Sequence, residues 1–519
     1  MSEPNPFDDV AYTTRPYSES HPDHLELLAY LHGLEPPPAG RCRVLEVGCG
    51  SGDNLAPVAL AHPESHCVGI DLSATAIARA RDMARACGLS NLEFRQQDLL
   101  EADADLGPFD YIIAHGFYSW VPAAVREKLL ERCQAWLSPQ GVAFISYAVF
   151  PGAHQRQMVR EVLLHHAGDV PAGRPRFERA KELLTFLLET APANRSTYRQ
   201  YLEDEAKLLA RSGNNYLHDN LSLVNEPVYF HQFLDHARRH GLQFLTDVAL
   251  IPPLEAGYPA AAVERLRQLS GGERLALEQY RDFLEGRMFR ESLLCRAEAK
   301  PDPAPRLERV RKLWVQSSAR PTAAVDLRST AADQFRLANG ATMESTHPLA
   351  KAALCVLGER WPEALPFNEL LALARARRGA DVENVEQDAL DLAKFLMVVD
   401  AVRFARLLRR PPHWLRQVSA RPSTTALVRW QATTALPITN VWRQSMPLDD
   451  PLLRYLLGLL DGTRDRPTLA QALTEHALAH RLVLVNGQPL DEAAQVHDLM
   501  TRSLEANLQR FAQLCLLVG

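Results

Sequence analysis

The chain has 519 residues, which indicates two to four domains because a single hydrophobic core stops growing well below this length. Its composition, with 23% charged residues, is that of a soluble globular protein. The net charge of −6 excludes nonspecific binding of nucleic acid through a basic surface.

The eight cysteines are scattered without a C-x-x-C pair, which predicts a reducing compartment and no zinc site. The residues Glu226, Tyr229, His231 and His236 lie close together, but no paired spacing repeats, so we predict no metal site there either. We find no secretory signal and no apolar run long enough to cross a bilayer. We therefore expect a cytoplasmic protein without membrane insertion.

Residues 1–40 form the first predicted unit, an aromatic segment that ends at a run of three prolines. The prolines predict a rigid stop before the first strand. Such a segment can fold over a ligand as a lid, which makes Tyr12 and Tyr17 candidate substrate-binding residues. The alternative is that Leu25 to Leu34 is an amphipathic helix covering the edge of a sheet. Both hold together if this helix carries the tyrosines to the site.

The stretch from Val44 to Gly52, VLEVGCGSG, predicts a strand, a tight turn and a helix. An apolar run from Cys42 to Val47 stops at Gly48, Gly50 and Gly52. Glycine permits backbone angles that a Cβ atom forbids and allows a ligand to approach the main chain closely. A G-x-G-x-G pattern is a weak signal by itself, so the segments that follow decide its meaning.

Three more strand-like runs follow, and two of them end in an acidic residue. His66 to Ile70 runs into Asp71, Leu92 to Gln97 runs into Asp98, and Phe109 to Ala114 opens into the letters HGFY. Asp71 lies 23 residues after Gly48, about the spacing that brings a carboxylate to the hydroxyl pair of a ribose. Strands alternating with helices predict an α/β fold with a doubly wound parallel sheet and a ligand at the carboxyl ends of its strands.

The glycine loop and the two acids together resemble the class I S-adenosylmethionine-dependent methyltransferases. The resemblance implies a Rossmann-like fold, S-adenosyl-L-methionine as cofactor, a ribose held by Asp71 and an adenine facing Asp98. The implied cofactor-binding residues are Glu46, Gly48, Cys49, Gly50, Gly52, Asp71, Leu72, Asp98, Leu99 and His115. A helix N-cap is the alternative role for Asp71. A nicotinamide enzyme more usually has G-x-G-x-x-G, from which this loop departs.

The residues His115, Tyr118 and Trp120 follow the fourth strand, where this superfamily binds the methyl acceptor. Methyl transfer from a sulfonium is an in-line displacement that depends on alignment and on a dry, electron-rich site. An amine acceptor must also be neutral. We predict that His115 is the base or that Tyr118 orients the amine. Trp120 is a candidate substrate-binding residue, with packing against the next helix as its alternative role.

The fifth strand, Val142 to Tyr147, also ends at the ligand edge of the predicted sheet, and Phe150 follows it. We predict Tyr147 as a catalytic residue and Phe150 as a substrate-binding residue, both in the wall of the acceptor channel. Packing in the core is the alternative for both side chains.

Several spaced motifs resemble the bacterial methyltransferases that carry an attached regulatory domain. They are HGFYSWVP, SYAVFPGAH, NEPVYFHQF, EQYRDFLEGRMFRESLLC and LLDGTRDRPTL, and together they span nearly the whole chain. This group includes the rickettsial protein-lysine methyltransferases acting on outer-membrane proteins. The resemblance implies a protein lysine as acceptor, with surface or outer-membrane proteins as candidate substrates. Ala148, Phe150 and Ala153 replace the asparagine, tyrosine and tryptophan that the family more often has, a departure that concerns the acceptor and not the cofactor.

We predict that residues 41–155 form the cofactor-binding core and that residues 156–238 form a helical insertion. Strand-like runs return at Gln243 to Leu250 and Phe289 to Cys295. A class I sheet needs two strands after its fifth, so we expect residues 239–300 to complete the sheet. The apolar faces of the inserted helices predict a homodimer surface.

The stretch from Pro301 to Arg320 is rich in proline and arginine, which indicates a domain boundary. Residues 301–412 predict a winged-helix-like middle domain with a short β-like run from Met397 to Phe404. Its arginines give local basic character, but acidic residues interleave them, so we predict no nucleic-acid partner. Residues 413–519 predict a mainly helical C-terminal domain that regulates the enzyme or selects its substrate.

Two classes of function remain open from the sequence. The first is an enzyme that methylates a protein lysine, with a small-molecule amine or hydroxyl as the alternative acceptor. The second is a non-catalytic protein that binds S-adenosylmethionine and recruits a partner through its C-terminal half. His115 and Tyr118 favour turnover, and the large C-terminal appendage favours a macromolecular substrate.

Overall fold

The computed structural model describes residues 8, 10, 12–103, 106–192, 194, 196–248, 257–379, 384–411, 418–485 and 488–519. Positions 1–7, 9 and 11 of the predicted lid segment lie outside the described residues. The same is true of the last two positions of the strand predicted at 243–250. None of the described helices is both long and apolar enough to span a membrane.

A seven-stranded sheet forms the core of the first half of the chain. Its strands are β1 (Arg43–Val47), β2 (His66–Asp71), β3 (Leu92–Gln96), β4 (Phe109–Ala114), β5 (Leu137–Ala148), β6 (Leu242–Asp247) and β7 (Phe289–Arg296). Their order is β3-β2-β1-β4-β5-β7-β6, with β1 to β5 parallel and β7 antiparallel to both neighbours. The predicted fold class is confirmed. The strand order reverses between β1 and β4, which is where ligands bind in doubly wound sheets.

Helices cover both faces of this sheet. They are α1 (Pro22–Leu31), α2 (Leu55–Ala61), α3 (Ala74–Ala86), α4 (Ala123–Trp136), α5 (Ala153–Ala167), α6 (Arg174–Thr190), α7 (Ser196–Ser212), α8 (Asn215–Asn220), α9 (Phe230–Arg239), α10 (Ala260–Leu269) and α11 (Arg274–Glu285). Val44 packs with α1, α2 and α3 on one face, whereas Leu45 packs with α4 and α9 on the other. Burial on both faces explains why the strands are continuous apolar runs. The inserted helices α5, α6 and α7 share a hydrophobic cluster of their own.

The second half of the chain contains two smaller domains. The middle domain (residues 307–408) holds α12 (Leu307–Val310), β8 (Trp314–Gln316), β9 (Arg320–Pro321), β10 (Asp333–Arg336), β11 (Thr342–Ser345), α13 (Pro348–Arg360), β12 (Leu365–Pro366), α14 (Phe367–Arg378), α15 (Val385–Ala401) and β13 (Arg406–Leu408). The C-terminal domain (residues 420–519) holds α16 (Ala426–Ala432), β14 (Ile438–Thr439), β15 (Ser445–Met446), α17 (Pro451–Leu459), α18 (Arg466–Ala479), β16 (Leu484–Val485), β17 (Gln488–Pro489) and α19 (Ala493–Gln513). Each domain has its own hydrophobic cluster.

The β-like run predicted from Met397 to Phe404 is wrong. Helix α15 continues to Ala401, and the strand that follows is β13. Leu392, Leu396 and Val399 are all buried, and their spacing of three to four residues places them on one side of a helix. A short, wholly apolar run fits both a strand and a buried helix, and here the tertiary packing selects the helix.

Helix α1 joins the central sheet to the middle domain because its sides lie in two different hydrophobic cores. Leu25 and Leu28 belong to the core of the sheet, whereas Leu27 and Leu31 belong to that of the middle domain. The helix predicted at the edge of the sheet is therefore an internal element shared by two domains.

The buried carboxylate of Glu26 reinforces this junction. Glu26 is 2% exposed, and its Oε2 accepts the Ala39 N–H at 2.9 Å. Its two oxygens also pair with the guanidinium groups of Arg409 and Arg410, which follow β13. Two arginines of the predicted basic cluster thus neutralise a carboxylate of the same chain.

Candidate active site

A cavity of about 1400 Å³ opens at the carboxyl ends of β1, β2 and β4. Its walls come from the central sheet, the segment 12–19, the helical insertion and the C-terminal domain. The predicted site residues that line it are Tyr12, Tyr17, Glu46, Gly48, Cys49, Gly50, Asp71, Leu72, Asp98, Leu99, His115 and Trp120. The structure thus brings most of the predicted cofactor and acceptor residues into one cavity.

The glycine turn after β1 forms the floor of this cavity. Gly48 and Gly50 have φ angles of +73° and +52°, in the left-handed region that favours glycine. A Cβ atom at Gly48 would lie 2.7 Å from Cδ2 of Phe117. The N–H of Gly48 donates to the Ile70 carbonyl at 2.9 Å, which holds the turn against the end of β2.

Asp71 closes the turn from the end of β2. Its Oδ2 accepts the Gly50 N–H and its Oδ1 accepts the Ser73 N–H, both at 2.8 Å. Burial raises the pKa of the Asp71 carboxyl, whereas these two hydrogen bonds favour its ionised form. The N-cap of α3 is Ser73, whose Oγ accepts the Ala76 N–H at 3.1 Å. The alternative role of Asp71 as a helix cap is therefore wrong.

Glu46 is a buried carboxylate with one unpaired oxygen. It is 4% exposed, and its Oε1 accepts a hydrogen bond from Nδ2 of Asn54 at 2.8 Å. In the described part of the chain its Oε2 has no hydrogen-bond partner. Burial raises the pKa of the Glu46 carboxyl to about 8. An orphaned acceptor in a cavity wall fits a cationic ligand, and S-adenosylmethionine carries both an ammonium and a sulfonium group.

Asp98, Leu72 and Leu99 line the cavity beyond β2 and β3. Oδ1 of Asp98 accepts the Leu100 N–H at 2.9 Å and so caps a short 3₁₀-helix, Leu99–Glu101. Leu72 is 58% exposed, so its apolar side chain is accessible from the cavity. These residues offer the mixed polar and apolar surface that a nucleoside needs.

Residues 12–17 cross the mouth of the cavity and are fastened to the glycine turn. The Thr14 hydroxyl donates to the Asp53 carboxylate, and the Tyr17 N–H donates to Oδ1 of Asn54 at 2.8 Å. The Tyr17 ring stacks on the His115 ring with centroids 3.7 Å apart and planes 19° apart. Tyr17 therefore occupies the position that the lid hypothesis requires.

The same segment is also fastened to the helical insertion. Thr13 N–H donates to Oδ1 of Asn215, and Nδ2 of Asn215 donates back to the Thr13 carbonyl, both at 2.8 Å. The Tyr12 hydroxyl donates to Oδ2 of Asp219 over 3.5 Å. Burial raises the pKa of Asp219 to about 6, so this carboxylate is mostly ionised at neutral pH. The segment thus spans the cavity from the sheet to the insertion.

The acceptor end of the cavity combines aromatic rings with carboxylates. The Phe289 ring lies 6.4 Å from the His115 ring and 6.3 Å from the Trp120 ring, measured between centroids. Nε2 of His115 lies 3.7 Å from Oε1 of Glu291. Nε1 of Trp120 donates to the backbone carbonyl of Asp219 at 2.9 Å, which places the Asp219 residue beside this group of rings. Aromatic faces and carboxylates together attract cations such as an ammonium.

Tyr118 and Tyr147, predicted as catalytic residues, do not line the cavity that the described residues form. The Tyr118 hydroxyl hydrogen-bonds with Nδ1 of His236 at 2.8 Å, and the Tyr147 hydroxyl hydrogen-bonds with Oγ of Ser292 at 2.9 Å. Burial raises the pKa of Tyr118 to about 12 and that of Tyr147 well above its usual value. Successive side chains of a strand point to opposite faces, so Ala148 lines the cavity while Tyr147 enters the core.

Gly52 and Phe150 are also predicted site residues. Neither is among the described residues that line this cavity. Gly52 has a φ angle of +78°, and a Cβ atom there would lie 2.3 Å from Cζ of Phe94. It is therefore required for packing of the turn. The Phe150 ring instead stacks on His154, with centroids 4.0 Å apart.

Four residues with clear roles at the site are missing from the sequence prediction: Asn54, Asp219, Phe289 and Glu291. Asn54 follows the last glycine of the loop by two positions, which is a local signal that could have identified it. Asp219 lies in the run NNYLHD, which the sequence marks only as a break between helices. Phe289 and Glu291 are on β7, which joins the site only because β7 lies next to β5 in the sheet.

Three family models match separate parts of the chain. A methyltransferase domain matches residues 44–141, which contain the glycine turn, Asp71 and Asp98. A predicted methyltransferase regulatory domain matches residues 213–296, which contain Asp219 and Glu291. The model described as the PKMT C-terminal winged helix domain matches residues 420–516. The matches thus cover the cofactor side, the acceptor side and the C-terminal domain.

One similar protein and one similar solved structure match nearly the whole chain, and a second relative matches part of it. An uncharacterised protein of Rickettsia prowazekii is 30% identical over 529 aligned positions, which cover 100% of this chain and 94% of the relative. A second uncharacterised protein of that organism is 34% identical over 46% of this chain and 96% of its own length. The solved structure of PKMT2 from Rickettsia typhi in complex with AdoHcy is 26% identical, with a TM-score of 0.83 over 98% of this chain and 100% of that chain.

The substitution Asp71→Asn tests the cofactor side of the site. An asparagine retains one acceptor oxygen, so either the Gly50 or the Ser73 N–H loses its partner. We expect the affinity for S-adenosylhomocysteine to fall at least about tenfold, as measured by isothermal titration calorimetry. Asp82→Asn, an exposed position on α3, is the matched control and should bind normally. Equal affinities of the two variants would contradict this role of Asp71.

The substitution Glu46→Gln tests the buried carboxyl through the pH dependence of stability. Its folded-state pKa of about 8 lies above the unfolded value of about 4.3, so the protonated form favours folding. Its contribution to stability is full at low pH and is lost as the pH rises towards 8. Between about pH 5 and pH 8 the cofactor-free chain should therefore lose on the order of 3 kcal/mol through this group.

The measurement is the unfolding temperature of parent and variant chains by scanning calorimetry over this pH range. Glu46→Gln should flatten the slope, because glutamine does not titrate and still accepts the Asn54 hydrogen bond. If both chains lose stability with the same slope, the Glu46 carboxyl is not the titrating group.

Proposed function

This chain belongs to the rickettsial-type class I methyltransferases, and we propose that it transfers the methyl group of S-adenosylmethionine to the side-chain amine of a protein lysine. The methyltransferase activity and the cofactor follow from the family. The acceptor is the proposed part, and the group of Trp120, Phe289, His115, Asp219 and Glu291 supports it. A lysine amine is cationic in water and becomes cationic again after it is methylated. Aromatic rings and carboxylates of this kind stabilise such a positive charge.

The cofactor site has residues for each part of the ligand. S-adenosylmethionine, when bound, supplies a methyl group activated by its sulfonium. The glycine turn leaves room for close approach of the ligand to the main chain, and the unpaired Oε2 of Glu46 is an acceptor for its ammonium group. Asp71 and Asp98 offer carboxylates for the ribose and the adenine. All four features lie in the wall of one cavity.

The acceptor amine must lose a proton before it attacks, and the pair of His115 and Glu291 is suited to receive that proton. His115 is held between the Tyr17 ring and the Phe144 ring, whose planes lie within 19° and 5° of its own. Oε1 of Glu291 lies 3.7 Å from Nε2, so a carboxylate stands beside this ring nitrogen. Stacking thus fixes the orientation of the base, and the carboxylate stabilises the charge that it acquires.

Asp219 contributes to the same step by electrostatics. Asp219 lies in the cavity wall, and its backbone carbonyl accepts the Trp120 Nε1–H. Burial raises the pKa of its carboxyl to about 6, so this group is mostly ionised at neutral pH. A fixed negative charge in a partly buried site stabilises the ammonium that forms when the methyl group is transferred. The Tyr12 hydroxyl donates a hydrogen bond to this carboxylate and so restricts its position.

The rim of the cavity favours a macromolecular substrate over a small molecule. Pro437, Ser445 and Pro447 of the C-terminal domain line the cavity together with residues of the central sheet. An amine at the end of a lysine side chain can reach the rings while its backbone stays at this rim. A small-molecule acceptor needs no contact with a domain more than 300 residues away in the chain.

The proposal is tested by incubating the chain with methyl-labelled S-adenosylmethionine and a cell lysate separated into macromolecular and small-molecule fractions. We expect label on protein, stable to base and recovered as Nε-methyllysine after hydrolysis. Acetylation of the acceptor fraction with acetic anhydride converts its lysine amines into non-nucleophilic amides beforehand and should abolish labelling. Label confined to the small molecules, or to base-labile methyl esters, would sink the lysine proposal. Asp71→Asn is the negative control.

The substitution Glu291→Gln separates chemistry from binding. It removes the charge beside His115 but leaves the cofactor residues in place. We expect kcat for methylation of the labelled acceptor to fall about 100-fold, with little change in the KM for S-adenosylmethionine. Glu298→Gln, on an exposed side chain beyond the end of β7, is the matched control. An unchanged kcat in Glu291→Gln would remove this pair from the mechanism.

Three finer expectations stay predictions. The first is that the substrate is a surface or outer-membrane protein, and the second is that the enzyme works in the cytoplasm. The third is a homodimer formed through the helical insertion, where Phe186 on α6 is 58% exposed. Proteomic mapping of labelled lysines tests the first, and sedimentation equilibrium of the purified chain tests the third.

A further inference from the structure

Three side chains with metal-binding atoms meet on the face of the central sheet that carries α4 and α9. Glu127 projects from α4, while His236 lies in the last turn of α9 and His240 is the residue that caps it. The two histidines are four residues apart, which places them on the same side of the helix. The two helices themselves belong to one hydrophobic cluster, so their separation is set by packing.

The distances within this group match those of a metal site. Nε2 of His236 lies 3.1 Å from Oε1 of Glu127, and Nε2 of His240 lies 2.7 Å from Oε2. All three ligand positions fall within 4.8 Å of one another. Ligands about 2.0–2.1 Å from a tetrahedral zinc ion lie about 3.3 Å apart. The two histidines face different oxygens of the Glu127 carboxylate, so the three side chains must contract around one point to hold such an ion.

The second observation is an unpaired nitrogen on a buried ring. His236 is 7% exposed, and its Nε2 has no hydrogen-bond partner among the described residues although it faces the Glu127 carboxylate. Nδ1 is engaged with the Tyr118 hydroxyl at 2.8 Å. When Nδ1–H donates to Tyr118, Nε2 presents a lone pair towards a carboxylate, an arrangement that a cation between them stabilises.

We propose that Glu127, His236 and His240 bind a divalent transition metal ion of the zinc class. Two imidazoles and a carboxylate form a ligand set typical of zinc, and Glu127 is about half exposed, which leaves the fourth position to water. Among the described residues, no ligand of this site lines the active-site cavity. The ion therefore lies outside the methyl-transfer site, and it links α4 to α9.

The site is connected to the acceptor end of the cavity through Tyr118. This residue begins the 3₁₀-helix Tyr118–Trp120, and Trp120 lines the cavity. A metal bound to Nε2 fixes the His236 tautomer with its proton on Nδ1, and so fixes the hydrogen bond to Tyr118. The sequence gives no sign of this site because its carboxylate and its histidines come from helices more than 100 residues apart.

The test is cobalt binding to the full chain, prepared without a polyhistidine tag and treated with a chelator. Co²⁺ should bind one equivalent per chain with the visible absorption of a tetrahedral site, and Zn²⁺ should displace it. His240→Ala and Glu127→Gln should each weaken binding at least about 100-fold, and Tyr118→Phe about 10- to 100-fold. His165→Ala, an exposed histidine on α5, is the matched control and should bind normally.

Zinc should also raise the unfolding temperature of the parent chain and of His165→Ala, but not of His240→Ala. The proposal is overturned if the parent chain binds no Co²⁺ in a tetrahedral site. It is also overturned if both His240→Ala and Glu127→Gln bind as tightly as the parent, because the ion then lies elsewhere. In that case the group is a hydrogen-bonded cluster in which the Glu127 carboxylate faces the two imidazoles and Arg239, which lies 3.9 Å away.

Discussion

The arrangement of the active site depends on two hydrogen bonds that the Asn54 carboxamide forms. Its Nδ2 donates to the buried Glu46 carboxylate, while its Oδ1 accepts the Tyr17 N–H, so one side chain joins the floor of the cofactor site to the lid. Tyr17 then stacks on His115 and fixes the ring that faces Glu291. Cofactor binding and acceptor chemistry are thereby connected through a few short contacts, each of which requires burial to be effective.

The lid connects this centre to the rest of the molecule. Beyond Tyr17 the chain enters α1, which lies in the cores of both the sheet and the middle domain and carries the buried Glu26. On the N-terminal side of Tyr17, Thr13 and Tyr12 form hydrogen bonds with Asn215 and Asp219 of the insertion. A substrate that contacts the C-terminal rim therefore meets a site whose lid is held by two other domains. The segment is thus held by the insertion on one side and by the sheet and the middle domain on the other.

The cofactor side of the site was largely predictable, and the acceptor side was not. Gly48, Gly50 and Asp71 lie within one strand–turn–helix–strand unit, where spacing alone brings the residues together. Tyr118 and Tyr147 were misplaced because a difference of one position along a strand or turn directs a side chain to the opposite face. Asp219 and Glu291 were missed because they reach the site from an inserted helix and from an antiparallel strand far along the chain.

The sequence by itself determined the class of fold and the cofactor, because these follow from local patterns of apolar runs, glycines and acids. Only the tertiary structure decided which rings face the acceptor, where the N-terminal segment lies, and that α15 continues through an apolar run that also fits a strand. The physical reason is that these features depend on contacts between residues hundreds of positions apart, whose energies no local spacing encodes. Glu127 and His236 meet for the same reason, since the packing of α4 against the sheet beside α9 sets their distance.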